Sequence, residues 1–254
     1  MHIRRVSLLP ALLLGIGAAV SLLPIAAVPT PVQERTLTFS NLEWTVKTGG
    51  GRRVGPGPNF FSDREENVWV DATGALHLRI TRHSGNWQCA EVVSRRSFGW
   101  GTYLFQVEAV RNLGPTVVGG LFTWDNTDPA YAHRELDFEY GLWSKPQAPN
   151  FQAVVQPYTR PGRMVRYAVP LDEPLTHSFR WQPDGIRFCS ARGYTEHPED
   201  SLLRPGWTFT GPERPRPGRE QVRVNLWLFQ GTPPPEGGAP ELIIRKFLFR
   251  KEAP

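Results

Sequence analysis

The stretch His133-Arg134-Glu135-Leu136-Asp137-Phe138-Glu139-Tyr140-Gly141 alternates acidic and apolar residues through its second half. Successive side chains of a β-strand project to opposite faces. Read as a strand, the segment puts Leu136, Phe138, Tyr140 and Leu142 toward a core and His133, Glu135, Asp137, Glu139 and Trp143 on the other face. The same period recurs on either side of it. Leu76, Leu78 and Ile80 alternate with His77, Arg79 and Thr81, and Tyr103, Phe105 and Val107 with Leu104, Gln106 and Glu108. Val222, Val224, Leu226 and Leu228 alternate with Arg223, Asn225, Trp227 and Phe229, while 242–250 is β-rich but alternates less cleanly. Asp184-Gly185, between 179–183 and 186–190, predicts a hairpin turn. About a dozen such strands, separated by glycine and proline, predict an all-β chain of two packed antiparallel sheets.

The chain has 254 residues, which suits one large domain, expected over 31–254. Residues 1–30 differ from the rest. Arg4 and Arg5 precede a stretch without charge from Val6 to Gln33, which predicts a signal peptide or an uncleaved signal-anchor. Ala26 and Ala27 are the best cleavage candidates, and Pro10 and Pro24 count against a membrane span. The protein is therefore expected to be secreted or cell-surface, to meet a membrane only if this segment is uncleaved, and to be a monomer. Its formal net charge of +5 comes from basic residues interleaved with acids. That gives nucleic-acid binding no support, and a solvated basic surface explains it better than a preference for anionic glycans. Cys89 and Cys189 are the two cysteines; whether they pair is left open, because each lies in an expected strand and the geometry is unknown. The histidines are scattered, without ligand spacing to the cysteines, so no metal site is expected.

Three carboxylates on one strand face need an explanation. Neighbours at i and i+2 lie about 7 Å apart at Cα, where like charges repel and raise at least one pKa. Glycoside hydrolysis provides one. A retaining mechanism needs two carboxyl groups about 5–5.5 Å apart, one as nucleophile and one as acid/base. Glu135 and Glu139 would be about 13 Å apart at Cα in a straight strand, so their side chains must converge. A Ca²⁺ site and an inert solvated acidic face are the competing explanations.

The segment also resembles the signature of glycoside hydrolase family 16, Glu-x-Asp-x-Glu, in its form without a bulge: Glu135-Leu136-Asp137-Phe138-Glu139. Other stretches resemble the family in its order: Phe98-Gly99-Trp100-Gly101, Val118-Gly119-Gly120-Leu121-Phe122-Thr123-Trp124, His177-Ser178-Phe179-Arg180-Trp181, and Val224-Asn225-Leu226-Trp227. The resemblance implies a jelly-roll sandwich with a concave cleft, acting on β-linked glucans, xyloglucan or galactans. It implies Glu135 as nucleophile, Glu139 as acid/base and Asp137 as their electrostatic partner. No cofactor is required, and a structural Ca²⁺ is compatible with the family. A lectin-like binder on the same fold and a transglycosylase using the same residues are the alternatives.

Sugar rings stack on aromatic faces, and their hydroxyls seek polar partners. Trp124 and Trp227 are the leading candidate platforms, with Trp100 and Trp143 behind them; core filling is the competing role for each. Asn225 shares the face of Trp227. Gln152 and Gln156 alternate with apolar Phe151, Ala153 and Val155 and are candidates to bond sugar hydroxyls. His133 is expected to orient Glu135 as its neighbour on the same face.

Overall fold

A computed structural model describes residues 34–235 and 238–253. The expected signal peptide or signal-anchor lies outside the described residues. Eighteen strands follow in chain order: β1 (Thr36–Phe39), β2 (Leu42–Val46), β3 (Arg53–Val54), β4 (Asn59–Phe61), β5 (Val68–Val70), β6 (Leu76–Arg79), β7 (Thr81–His83), β8 (Asn86–Ser94) and β9 (Gly101–Arg111), then β10 (Val117–Trp124), β11 (Leu136–Gly141), β12 (Phe151–Val155), β13 (Met164–Tyr167), β14 (Leu175–Gln182), β15 (Gly185–Arg192), β16 (Trp207–Phe209), β17 (Gln221–Leu228) and β18 (Glu241–Lys251). They form two sheets. The first runs β1-β2-β8-β17-β10-β11-β12-β13, with the short β4 and β7 beside β8 and β3 beside β4; the second runs β16-β15-β14-β9-β18-β6-β5.

The sheets pack face to face as a sandwich, and alternation decides what lies between them. Leu136, Phe138 and Tyr140 of β11 are fully buried, as are Val224 and Leu226 of β17 and Leu76 and Leu78 of β6. Phe138 meets Phe188 of the second sheet edge-on, with ring centroids 5.3 Å apart. The Tyr140 hydroxyl reaches His177 Nε2 at 2.6 Å. The weak alternation of 242–250 has a physical cause. The register of β18 against β9 shifts between Ile243 and Lys246, and a bulge changes which residues face the core.

The hairpin forms one residue earlier than its Asp-Gly dipeptide suggests. Gln182 pairs with Gly185, so Pro183 and Asp184 make the turn, and neither has a positive φ. Proline at the second position and glycine at the fourth suit a type I turn.

The cysteines are unpaired, and both are buried. Cys89 shares its strand face with Glu91, which lines the cleft on the outer side of the first sheet. Cys189 alternates with the core residue Phe188, so its thiol points outward from the second sheet, where it donates to Glu199 Oε1 at 3.0 Å. The two thiols therefore point away from each other across the sandwich.

Candidate active site

Directly opposed residues of neighbouring strands share a face. On the outer face of the first sheet the register aligns Glu91, Asn225, Gly120, Glu139, Gln152 and Arg166 in one row across β8, β17, β10, β11, β12 and β13. The adjacent row contains Arg223, Phe122 and Asp137. These rows floor a cleft of about 310 Å³. Glu135, Asp137 and Glu139 all line it, together with Trp124, Trp227 and Asn225. Gly120 leaves the floor open beside Glu139. A Cβ there would lie 2.6 Å from Asn225 Oδ1, the atom that accepts the Gly120 N–H at 3.0 Å.

Glu135 is positioned by an unusual turn rather than by the strand. Tyr131, Ala132, His133 and Arg134 have φ of 55°, 51°, 61° and 57°, four consecutive left-handed residues without a glycine. Left-handed helical backbone costs about 1–2 kcal/mol per such residue, so surrounding contacts must impose it. Arg134, itself buried, donates to Asp125 Oδ2 at 3.1 Å and to Asp128 Oδ2 at 2.7 Å. Thr123 Oγ1 donates to the Arg134 carbonyl and the Asp125 N–H to the His133 carbonyl, both at 2.7 Å. Backbone hydrogen bonds from Arg219 and Thr127, together with the hydroxyl of Thr127 and the charge of Arg134, outweigh burial and hold Asp125 at a pKa of about 2. Glu135 returns to extended backbone, and the strand starts at Leu136.

The carboxyls resist ionising together. Burial, then the charges of Glu135 and Glu139, push Asp137 well above the usual carboxylate range. Burial and then repulsion from Glu139 raise Glu135, against a hydrogen bond with Asp137 and the positive charge of Arg223. Burial raises Glu139, against the Gln152 amide and the charge of Arg166. The bond between Glu135 and Asp137 favours a proton on Asp137 and a carboxylate at Glu135. Ionising one carboxyl of the cluster therefore makes the next harder to ionise, a coupling that acid/base chemistry can use.

Other residues proposed from the sequence divide into groups. Trp124, Trp227 and Asn225 face the cleft as expected, although Asn225 is buried and spends its Oδ1 on Gly120. Gln152 and Gln156 hold the carboxylates and are not free for sugar hydroxyls. Gln152 donates to Glu139 Oε2 and accepts from Arg166, while Gln156 donates to Asp137 Oδ2 at 2.9 Å and accepts from the Tyr158 N–H. His133 is turned out of the strand by the left-handed run. Its ring stacks on Trp124 at 4.1 Å between centroids, so it supports the platform instead of orienting Glu135. Trp143 follows the end of β11 with φ 47°, under the guanidinium of Arg166, and does not line the cleft. Trp100, just before β9, is partly buried and packs edge-on against Trp181 at 5.5 Å, so it covers the core and does not line the cleft.

Lys47, Glu91 and Arg223 line the cleft and were not singled out from the sequence. A signal for two of them existed. Arg223 shares the face of Asn225 and Trp227, and Glu91 is a lone acid in the apolar run Cys89-Ala90-Glu91-Val92-Val93. Among the described residues, no group of three or more His, Cys, Asp or Glu is disposed to hold a metal ion.

No family model matches the sequence, and no curated protein does. Solved structures do. A β-glucanase of Bacillus licheniformis aligns with a TM-score of 0.60 at 18% identity, over 82% of this chain and 92% of that one. A β-1,3-1,4-glucanase (lichenase) from a mouse hindgut metagenome aligns with a TM-score of 0.58 at 20% identity, over 84% and 94%. An immunostimulatory antigen and pseudo β-1,3-glucanase of Mycobacterium tuberculosis aligns with a TM-score of 0.59 at 19% identity, over 80% and 88%. The likeness spans most of each chain and is one of fold. The chain thus has the jelly-roll β-sandwich fold that these structures share.

Proposed function

We propose that this protein is a retaining glycoside hydrolase of family 16 type that cleaves β-linked polysaccharide, of the β-glucan class, within the chain. The observation that carries the reading is the placement of Glu135, Asp137 and Glu139 together on the floor of one cleft, with Trp124 and Trp227 on the same lining. In the first step the Glu135 carboxylate attacks the anomeric carbon, and the Glu139 carboxyl protonates the departing glycosidic oxygen. A covalent glycosyl–enzyme forms. In the second step Glu139, now ionised, takes a proton from water, and the hydroxide so formed displaces Glu135 from the sugar. Asp137 keeps its proton and donates it as a hydrogen bond to Glu135, stabilising the carboxylate that must attack and later leave. No step uses a metal or an organic cofactor.

The N-terminal segment supports export to the cell surface or medium, and the domain is proposed to act as a monomer on its polysaccharide. The fold shared with a pseudo β-1,3-glucanase favours one second reading, a glycan binder that does not hydrolyse. Reducing-end release from a panel of β-glucans, xyloglucan and galactans, with Glu135→Gln in parallel, separates the two. Release from one polymer, abolished in the variant, establishes the hydrolase and its substrate class. Binding without release by the unaltered protein would instead establish the binder. Products that are longer rearranged chains, with little net release, would identify transglycosylation.

A further inference from the structure

We infer that Lys47, Glu91 and Arg223 form a subsite for an anionic substituent of the glycan, a carboxylate or sulfate on a sugar ring bound beside the reacting bond. This rests on the glycan-cleft reading above and specifies its substrate class. Glu91 is 1% exposed, and each of its oxygens is taken: Oε1 accepts from Arg223 Nη1 at 3.0 Å and Oε2 from Lys47 Nζ at 2.9 Å. It is therefore not free to bind sugar hydroxyls. Its role is to fix two cations, and these three residues together carry a net charge of +1 beside the carboxyls of Glu135, Asp137 and Glu139 on the same lining.

Lys47 uses two of its three N–H groups, on Glu91 and on the Gly55 carbonyl at 2.7 Å, and its ammonium also sits over the Phe61 ring. Arg223 is less engaged. It is 8% exposed, lines the cleft, and uses only Nη1 of its guanidinium, while the buried Nε has no partner among the described residues. A charged donor left without an acceptor is costly, so this arginine is poised for an acceptor that enters the cleft. Glu135 lies within reach of its charge but shares no hydrogen bond with it. A neutral hydroxyl would satisfy one N–H and leave the charge. A carboxylate or sulfate accepting from Nη2, the donor that Glu91 leaves free, would make a charge-assisted bond and balance the charge as well. The basic balance of the whole chain is, on this view, less informative than the two cations that Glu91 fixes inside the cleft.

The test is calorimetric titration of full-length Glu139→Gln, which cannot complete the reaction, with three β-linked oligosaccharides of equal length: neutral, uronate-bearing and sulfated. One acidic ligand is expected to bind about ten-fold tighter than the neutral one, as a charge-assisted hydrogen bond implies. Which one does so identifies the substituent. The advantage is expected to shrink as salt is raised, to vanish with Arg223→Gln and to persist in part with Arg223→Lys. Should Arg223→Gln fail to fold, the salt dependence of the parent decides. Equal affinity for neutral and acidic ligands, with neutral polymer cleaved by the unaltered protein, would overturn the subsite and leave the hydrolase standing. Acidic binding that depends on Arg223, with no polymer cleaved, would support the subsite and overturn the hydrolase. Absence of binding and cleavage for every ligand would overturn both.

Discussion

Glu135, Asp137 and Glu139 sit where ionisation is costly, and that cost is measurable. All three pKa values are raised, by burial first, with mutual repulsion adding to it at Glu135 and Asp137. A carboxyl with a raised folded pKa contributes stability that is fully present below its unfolded pKa of about 4 and is lost as pH rises through the folded one. Asp137→Asn is therefore expected to raise the melting temperature at pH 7 and to leave it unchanged near pH 4, while hydrolysis falls sharply; differential scanning calorimetry at the two pH values checks it. If Glu139 is the general acid proposed above, Glu139→Gln is expected to lower kcat by about 10²–10⁴-fold, as measured by initial rates on the polymer identified in the panel. At the neighbouring floor position, Gly120→Ala places a methyl against Asn225 Oδ1. The expected outcome is a destabilisation of about 1–3 kcal/mol in urea titration, with reduced kcat/KM. The identity and shared face of the three carboxylates were legible in the sequence, because a strand's period is two. The partners of Gln152 and Gln156 were not, since they depend on which strands lie beside β11.

At the scale of elements, the turn Ala130–Arg134 has the largest consequence for the site. It contains no glycine or proline, so nothing in its sequence marks a left-handed path, and strand periodicity alone extends β11 back to His133. The path is imposed from outside, chiefly by the ion pairs of Arg134 with Asp125 and Asp128. Arg134→Ala leaves Asp125, 1% exposed, without its buried cation. A loss of about 3–5 kcal/mol is expected in chemical denaturation, and activity should fall with it because Glu135 is the next residue. The same scale explains the weak alternation of β18, where a bulge was invisible until its pairing with β9 was known.

Across the whole molecule, a buried polar chain ties the two sheets together. Tyr140 on β11 meets His177 on β14, which meets Ser190 Oγ on β15 at 2.7 Å, which in turn meets the Tyr167 hydroxyl on β13 at 2.8 Å. Burial depresses the His177 pKa to about 3. The unfolded chain binds this proton near pH 6.5 and the folded one does not, so the stabilisation is complete above pH 6.5 and is lost as pH falls toward 3. This group contributes a slope of up to about 1.4 kcal/mol per pH unit in that window. Urea midpoints between pH 4 and 7 are expected to show the advantage of the unaltered protein over His177→Gln shrinking steadily as pH is lowered.

The sequence by itself determined the all-β class, the core faces of most strands and the three carboxylates, because each follows from local alternation and composition. It also held a family resemblance, whose implied fold the solved glucanase structures bear out. Tertiary structure alone decided which aromatics face the cleft, that the thiols point apart, and that Lys47, Glu91 and Arg223 meet beside the carboxylates. Those outcomes depend on register between strands distant in the chain, such as Arg223 opposite Val93 and Asn225 opposite Glu91. Local periodicity says which side of a strand a residue occupies; only the pairing of strands says what it will find there.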